Sequence, residues 1–173
     1  MATLRTLLIL GRTSNLPTVW SNCLAGWLLG GGGGDGRFAL LCAGATCVYL
    51  GGMFLNDAFD ADFDRAHRRE RPIPPGAISE GEVWKWGFVW LPAGMLCLTL
   101  LGRPTSMLAG FLAVNILLYD AVHKHITFSP LIMAGCRFFL YLVAASAATG
   151  DGGGLAIWSA FALGGYIIGL SYL

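Results

Sequence analysis

Charge is scarce in this chain of 173 residues: Asp, Glu, Lys and Arg together make up 12%, about half the share found in an ordinary soluble domain. With 55% hydrophobic residues and a mean hydropathy of +0.64, the composition is that of a membrane protein. The formal net charge is only +1, so the basic excess of a nucleic-acid-binding surface is missing. The five cysteines, Cys23, Cys42, Cys47, Cys97 and Cys136, show no C-x-x-C spacing. That leaves neither a disulfide framework nor a zinc site, and they read as small apolar residues within spans. The glycine runs lack the Lys-Ser or Lys-Thr and the preceding strand of a phosphate-cradling loop. An A-x-A-like cleavage site ahead of a hydrophilic mature region is also absent, so the first apolar stretch reads as a helix of the bundle rather than a signal peptide.

What the chain does have is six apolar runs, roughly 14–30, 38–56, 86–102, 106–122, 129–149 and 155–173, read as crossing about 30 Å of hydrocarbon. The expectation is an all-α, polytopic membrane helical bundle with about six transmembrane helices, built as a single domain over residues 1–173. A cytoplasmic N-terminus puts Arg5, Arg12, Arg65, Arg68, Arg69, Arg71, Lys85 and Lys124 on the cytoplasmic face. Only Arg37 and Arg103 fall opposite, the asymmetry of the positive-inside rule. The loops of that opposite face, "GGGGGDGR" (Gly30 to Arg37), "GRPTS" (Gly102 to Ser106) and "TGDGGG" (Thr149 to Gly154), read as flexible connectors.

The scarce charge is concentrated. Of ten acidic residues, only Asp35, Asp120 and Asp151 lie outside the segment from Asp57 to Glu82. Continued as a helix at about 100° per residue, the second span puts Asp57, Asp60 and Asp64 on one face, with Asn56 beside it and Asp62 pointing nearly the opposite way. Three like charges at such spacing repel, and desolvation near a membrane makes the repulsion worse. A cation is therefore expected there, and oxygen-only ligands suit Mg²⁺, which is held by one or two carboxylates plus substrate phosphates. The bland alternative is a solvated helix end paired with the arginines that follow.

After the stripe, Pro72, Pro74 and Pro75 stop the helix, Gly76 permits a turn, and Ser79 with Glu82 has the form of a capping box. The intervening Arg65, Arg68, Arg69 and Arg71 suit anionic lipid headgroups or a diphosphate beside the metal; the neighbouring aspartates favour the diphosphate. Elsewhere, Asp120 and Lys124 read as an interfacial ion pair, and His123 and His125 as solvated side chains that share no helical face. Arg137, inside a span, either snorkels to the interface or points into a cavity. Asn22 and Asn115 suit interhelical hydrogen bonds, and Trp84, Trp86, Trp90 and Trp158 an interfacial aromatic belt.

"NDAFDADFD" followed by "RPIPPGAIS" resembles the N-D-x-x-D-x-x-x-D and R-P-I-P-x-G-x-I-S signatures of UbiA-type intramembrane prenyltransferases. "GRTSNLPTVWSN" (Gly11 to Asn22) is similar to that family's first-helix entry and "YDAVHK" (Tyr119 to Lys124) to its loop before the fifth helix; both are nearest to EboC-like members. The resemblance spans most of the chain. It implies Mg²⁺-dependent transfer of a prenyl group from a prenyl diphosphate donor to an aromatic or other lipophilic acceptor, at the cytoplasmic side of a bacterial plasma membrane among membrane lipids. By position it implies that Asn56, Asp57, Asp60 and Asp64 bind metal and diphosphate, that Arg68 and Arg71 contact the diphosphate, that Tyr119 lies near the allylic carbons, and that Lys124 is the catalytic basic residue following the tyrosine motif. Asn22 and Arg137 join as cavity residues.

Family members have about nine helices and a second aspartate motif, which this sequence does not contain. The expectation is therefore a chain incomplete at its C-terminus, one with a partner chain, or a divergent relative. A second functional reading is a non-catalytic membrane protein that binds or transports a prenyl diphosphate or related lipid. Phosphatidyl transfer is disfavoured, because Ala61 follows Asp60 where its D-G-x-x-A-R element needs glycine.

Overall fold

The computed structural model describes residues 3–34, 36–124, 126–149 and 153–172; Asp35, His125 and Asp151 lie outside them. The described residues form eight α-helices and one 3-10 turn. In order they are α1 (Leu4–Leu10), the 3-10 turn Thr13–Asn15, α2 (Leu16–Leu29), α3 (Gly36–Phe59), α4 (Ala61–His67), α5 (Glu80–Thr99), α6 (Arg103–Val122), α7 (Ser129–Thr149) and α8 (Gly154–Ser171).

All six expected spans are helical, and four of them, α3, α6, α7 and α8, are long and apolar enough to cross a membrane. Helix α2 has 14 residues, about 21 Å at 1.5 Å per residue, short of the hydrocarbon thickness. Helix α5 spends its first turns on Glu80, Glu82 and Lys85, which shortens its apolar stretch.

Helix α3 packs chiefly on α5, and α7 lies against α2, α6 and α8. Close approach of α3 and α5 depends on glycine. A Cβ at Gly51 would sit 2.6 Å from the backbone nitrogen of Leu91, and one at Gly94 would sit 2.6 Å from the carbonyl of Gly44. Small residues at such crossings let van der Waals contact replace the hydrophobic drive that lipid does not supply. Large exposed side chains such as Leu96, Met107, Phe111 and Trp158 are the outer surface that hydrocarbon covers.

A separate apolar cluster of Leu10, Phe54, Ala58, Ala61, Ile73, Ile78 and Val83 ties α1, the end of α3, α4 and the proline loop to the start of α5. It fixes the acidic segment in place. The loop turns at Gly76, where φ is +76°, and α5 starts with the expected box: Ser79 Oγ accepts from Glu82 N while Ser79 N donates to Glu82 Oε2. The cysteines are free; Cys23 is buried and the other four are half-buried.

Candidate active site

Helices α3 and α4 meet at Asp60, yet the hydrogen bonds from Asp60 N to Asn56 O (3.0 Å) and from Asp64 N to Asp60 O (2.8 Å) carry helical spacing through the junction. The stripe therefore survives. Asp57, Asp60 and Asp64 are 2%, 5% and 2% exposed, whereas the side chain of Asp62 is 98% exposed and pairs with Arg65 at 2.6 Å. Arg65 also reaches Glu80 at 2.6 Å, clamping α4 to α5; that bond first, and Asp62 second, raise its already high pKa.

Buried carboxylates need cations or donors, and other parts of the chain bring them. Arg12 donates through one Nη2 to Asn56 Oδ1 and to Asp57 Oδ1, both at 2.9 Å. Its backbone is left-handed, with φ 41° and ψ 46°, a conformation that costs a non-glycine residue on the order of 1–2 kcal/mol. Tyr49 Oη donates to its carbonyl at 3.2 Å, and the twist aims the guanidinium at α3. Arg71 lies 3.8 Å from Asp57 Oδ1. Asp60 faces Lys124 Nζ at 2.9 Å and His123 Nε2 at 3.5 Å. Lys124 keeps ion-pair distance without hydrogen-bond alignment and sits 3.6 Å above the Phe63 ring.

Two cavities adjoin this network. One, of about 260 Å³, is walled mainly by apolar side chains of α2, α3, α6 and α7, with Arg12, Asn15, Tyr49, Tyr119, Asp120 and Arg137 among its polar points. The other, about 550 Å³ and more open, is basic: Arg5, Arg12 and Arg71 line it with Thr13, Ser14 and Asn15. Arg12 and Asn15 belong to both walls.

Among the expected residues, Asn56, Asp57, Asp60, Asp64, Arg71, Tyr119 and Lys124 gather at this end, and Arg137 lines the smaller cavity. Arg68 does not join them: it is exposed, with its guanidinium 5.7 Å from the Phe63 ring centre. Asn22 is half-buried on α2 and lines neither cavity. Asn115 makes its interhelical bond, donating to Ile132 O at 2.6 Å.

The expected pair of Asp120 with Lys124 is replaced. Lys124 reaches back to Asp60, and Asp120 accepts from Asn56 Nδ2 at 3.1 Å. His123 is part-buried against Asp60 rather than solvated. Arg12, Asp120 and His123 are residues that sequence reading did not place in the site; the local signals for the first two are an arginine just before a span and a lone acid ending one.

The donor set fits a hard cation. Asp57 Oδ2 and Asp64 Oδ1 are buried carboxylate oxygens without a partner, and oxygen-only ligands suit Mg²⁺. Among the described residues no three His, Cys, Asp or Glu side chains close into a metal-holding group. Magnesium needs no such cage, since substrate phosphates and waters complete its shell.

Comparison with known proteins agrees with this architecture. The UbiA prenyltransferase family profile matches residues 15–173. A digeranylgeranylglyceryl phosphate synthase of Ignicoccus hospitalis is 34% identical over 82 residues, 47% of this chain and 27% of that protein. A 4-hydroxybenzoate octaprenyltransferase of Edwardsiella ictaluri is 29% identical over 151 residues, 86% of this chain and 52% of that protein. The chain thus spans between about a quarter and a half of these relatives. The fold is shared with a solved UbiA homologue from Aeropyrum pernix K1, at a TM-score of 0.79 and 21% identity, over 91% of this chain and 62% of that one. It is shared also with a solved digeranylgeranylglyceryl phosphate synthase, at a TM-score of 0.78 and 22% identity, over 95% and 58%.

Proposed function

The chain belongs to the UbiA prenyltransferase family, and on that premise we propose that it binds a prenyl diphosphate at the cytoplasmic end of its bundle and serves prenyl transfer to a lipophilic acceptor. The observation that carries this reading is the pairing of opposites at one end of an apolar bundle. Carboxylates of Asp57 and Asp64 keep free buried oxygens while Arg12, Arg71 and Lys124 crowd around the same stripe.

A diphosphate brings a charge that neither set alone satisfies. Asp57 and Asp64 would hold Mg²⁺, with Asp60 joining as Lys124 turns from it to the phosphates, and Asn56 orients Asp57 through their shared contact with Arg12. When bound, the metal supplies charge neutralisation at the leaving diphosphate. Arg71 and Arg12, on the wall of the open basic cavity, complete that neutralisation by charge-assisted hydrogen bonds. Tyr119 lines the smaller cavity, where its ring can stabilise a nearby allylic cation and the largely apolar walls limit access of water.

The test is diphosphate release from a prenyl diphosphate by membranes carrying the protein with Mg²⁺. Release that vanishes in Asp57→Ala and persists in Asp62→Ala supports prenyl transfer. Mg²⁺-dependent binding without release assigns the protein to a lipid-binding or transport role instead.

A further inference from the structure

We infer that Asp120 is a positioning residue: by holding the NH₂ end of the Asn56 amide it turns the oxygen end to Arg12 and so keeps that guanidinium on the aspartate stripe. Only the identity of the anion that Arg12 then meets, a prenyl diphosphate, rests on the prenyl-transfer reading.

The contacts run through three elements. From α3, Asn56 Nδ2 donates to Asp120 Oδ1 on α6 at 3.1 Å. Asn56 Oδ1 accepts from Arg12 Nη2 at 2.9 Å, and the same nitrogen donates to Asp57 Oδ1 at 2.9 Å. Asn56 and Asp120 are each 4% exposed, which leaves solvent little room to compete for either end of the amide.

A primary amide can present either end to a neighbour, whereas a guanidinium only donates and an ionised carboxylate only accepts. Between the two, the Asn56 amide has one orientation. That is the physical case for an acid at position 120, where a second amide or a hydroxyl would be cheaper to bury but could be read either way. Among the described residues Asp120 has no cation of its own to offset that cost. Lys124, one helical turn along, is with Asp60 at 2.9 Å, and Asp120 Oδ2 has no hydrogen bond.

Arg12 needs such an anchor. Its side chain is 31% exposed and lines both cavities, so the guanidinium has an open basic side to swing into. Two acceptors, Asn56 and Asp57, hold it on the stripe side. Were the amide to turn over, its NH₂ would face the guanidinium, donor against donor. Asp57 would then lose its shortest ion pair, with Arg71 left at 3.8 Å.

The test reads the side-chain ¹⁵N–¹H signals of Arg12 in the detergent-solubilised protein, without prenyl diphosphate or divalent cation, identified by their loss in Arg12→Lys. A guanidinium held by two acceptors turns slowly and gives resolved Nη signals; a released one averages them. Wild type is expected to show resolved signals and Asp120→Leu averaged ones, and either result reversed overturns the proposal. Should Asp120→Leu fail to fold, the wild-type Asn56 amide decides. Held at both ends, its NH₂ protons should exchange with solvent at least about tenfold more slowly than those of the exposed Asn15, and equal exchange overturns the proposal. The second readout is binding of geranyl diphosphate with Mg²⁺, expected to weaken by about tenfold in Asp120→Leu. In the double variant Asn56→Asp with Asp120→Asn, the carboxylate at 56 accepts from Arg12 on one oxygen and from the amide at 120 on the other, at unchanged net charge. Binding should return there; if it stays lost, the acid itself is what position 120 supplies, and the positioning role falls. Arg12 signals that behave as stated, with no binding of geranyl diphosphate by wild type, keep the positioning role and sink the prenyl reading. Binding with Arg12 signals indifferent to residue 120 sinks the positioning role alone.

Discussion

The two ends of the bundle use arginine in opposite ways. At the glycine-rich end, Arg37 donates to the carbonyls of Leu101 at 2.7 Å and Ala147 at 2.9 Å, closing the C-terminal ends of α5 and α7, where backbone acceptors have no intrahelical donor and the dipole favours a cation. At the acidic end, Arg12 donates to two buried side chains, the amide of Asn56 and the carboxylate of Asp57, and carboxylate oxygens without a hydrogen bond remain nearby. At the first end the guanidinium is met by backbone carbonyls. The other keeps unmet electrostatic demand, and unmet demand is what a charged ligand can answer.

That contrast can be broken experimentally. The largest effect is expected from Asp57→Ala or Asp60→Ala, which should lower Mg²⁺-dependent diphosphate release by about 100-fold or more, the scale of losing a preorganised electrostatic contact; release within a few-fold of wild type would remove the acidic end from the chemistry. Next comes Arg12→Ala, which frees the Asn56 amide and strips Asp57 of its shortest ion pair. A loss of about ten- to 100-fold, expressed mainly as a higher KM for prenyl diphosphate, is expected, with Arg12→Lys recovering only part because one ammonium does not copy the guanidinium fork.

Arg37→Ala tests the other end. It should lower stability by about 1–3 kcal/mol, read as a lower Tm in detergent, while the Mg²⁺ dependence of the remaining activity stays unchanged; a shift in Mg²⁺ requirement would show that the ends are coupled. The smallest effect is expected from Asp62→Ala. Its partner Arg65 retains Glu80 and exposed pairs contribute roughly 0–1 kcal/mol, so activity within about twofold of wild type is the outcome that sharpens the comparison.

Much of this was readable before the fold was known. The aspartate stripe follows from helical periodicity, which a junction at Asp60 does not disturb because the i to i−4 bonds continue. The proline stop, the Gly76 turn and the Ser79–Glu82 box are each written in a few adjacent residues. Span lengths were less legible: a 14-residue helix and one with a charged first turn sit inside apolar windows that extend beyond them. The partners of the acids were the least legible. Asp120 and Lys124, four apart on a helix, invite a local pair, yet Asp60 takes the lysine.

Sequence alone determined which side chains share a helical face, because that depends on rotation about one axis and on nothing distant. It also determined that charge would gather where hydrocarbon ends, since burying it elsewhere is costly. Only tertiary packing decided which cation meets which carboxylate, with Arg12 crossing to α3 and Asn56 to α6 over separations of 44 and 64 residues. Those choices rest on distances of a few ångströms between helices, and Coulomb energies and hydrogen bonds are set at that scale.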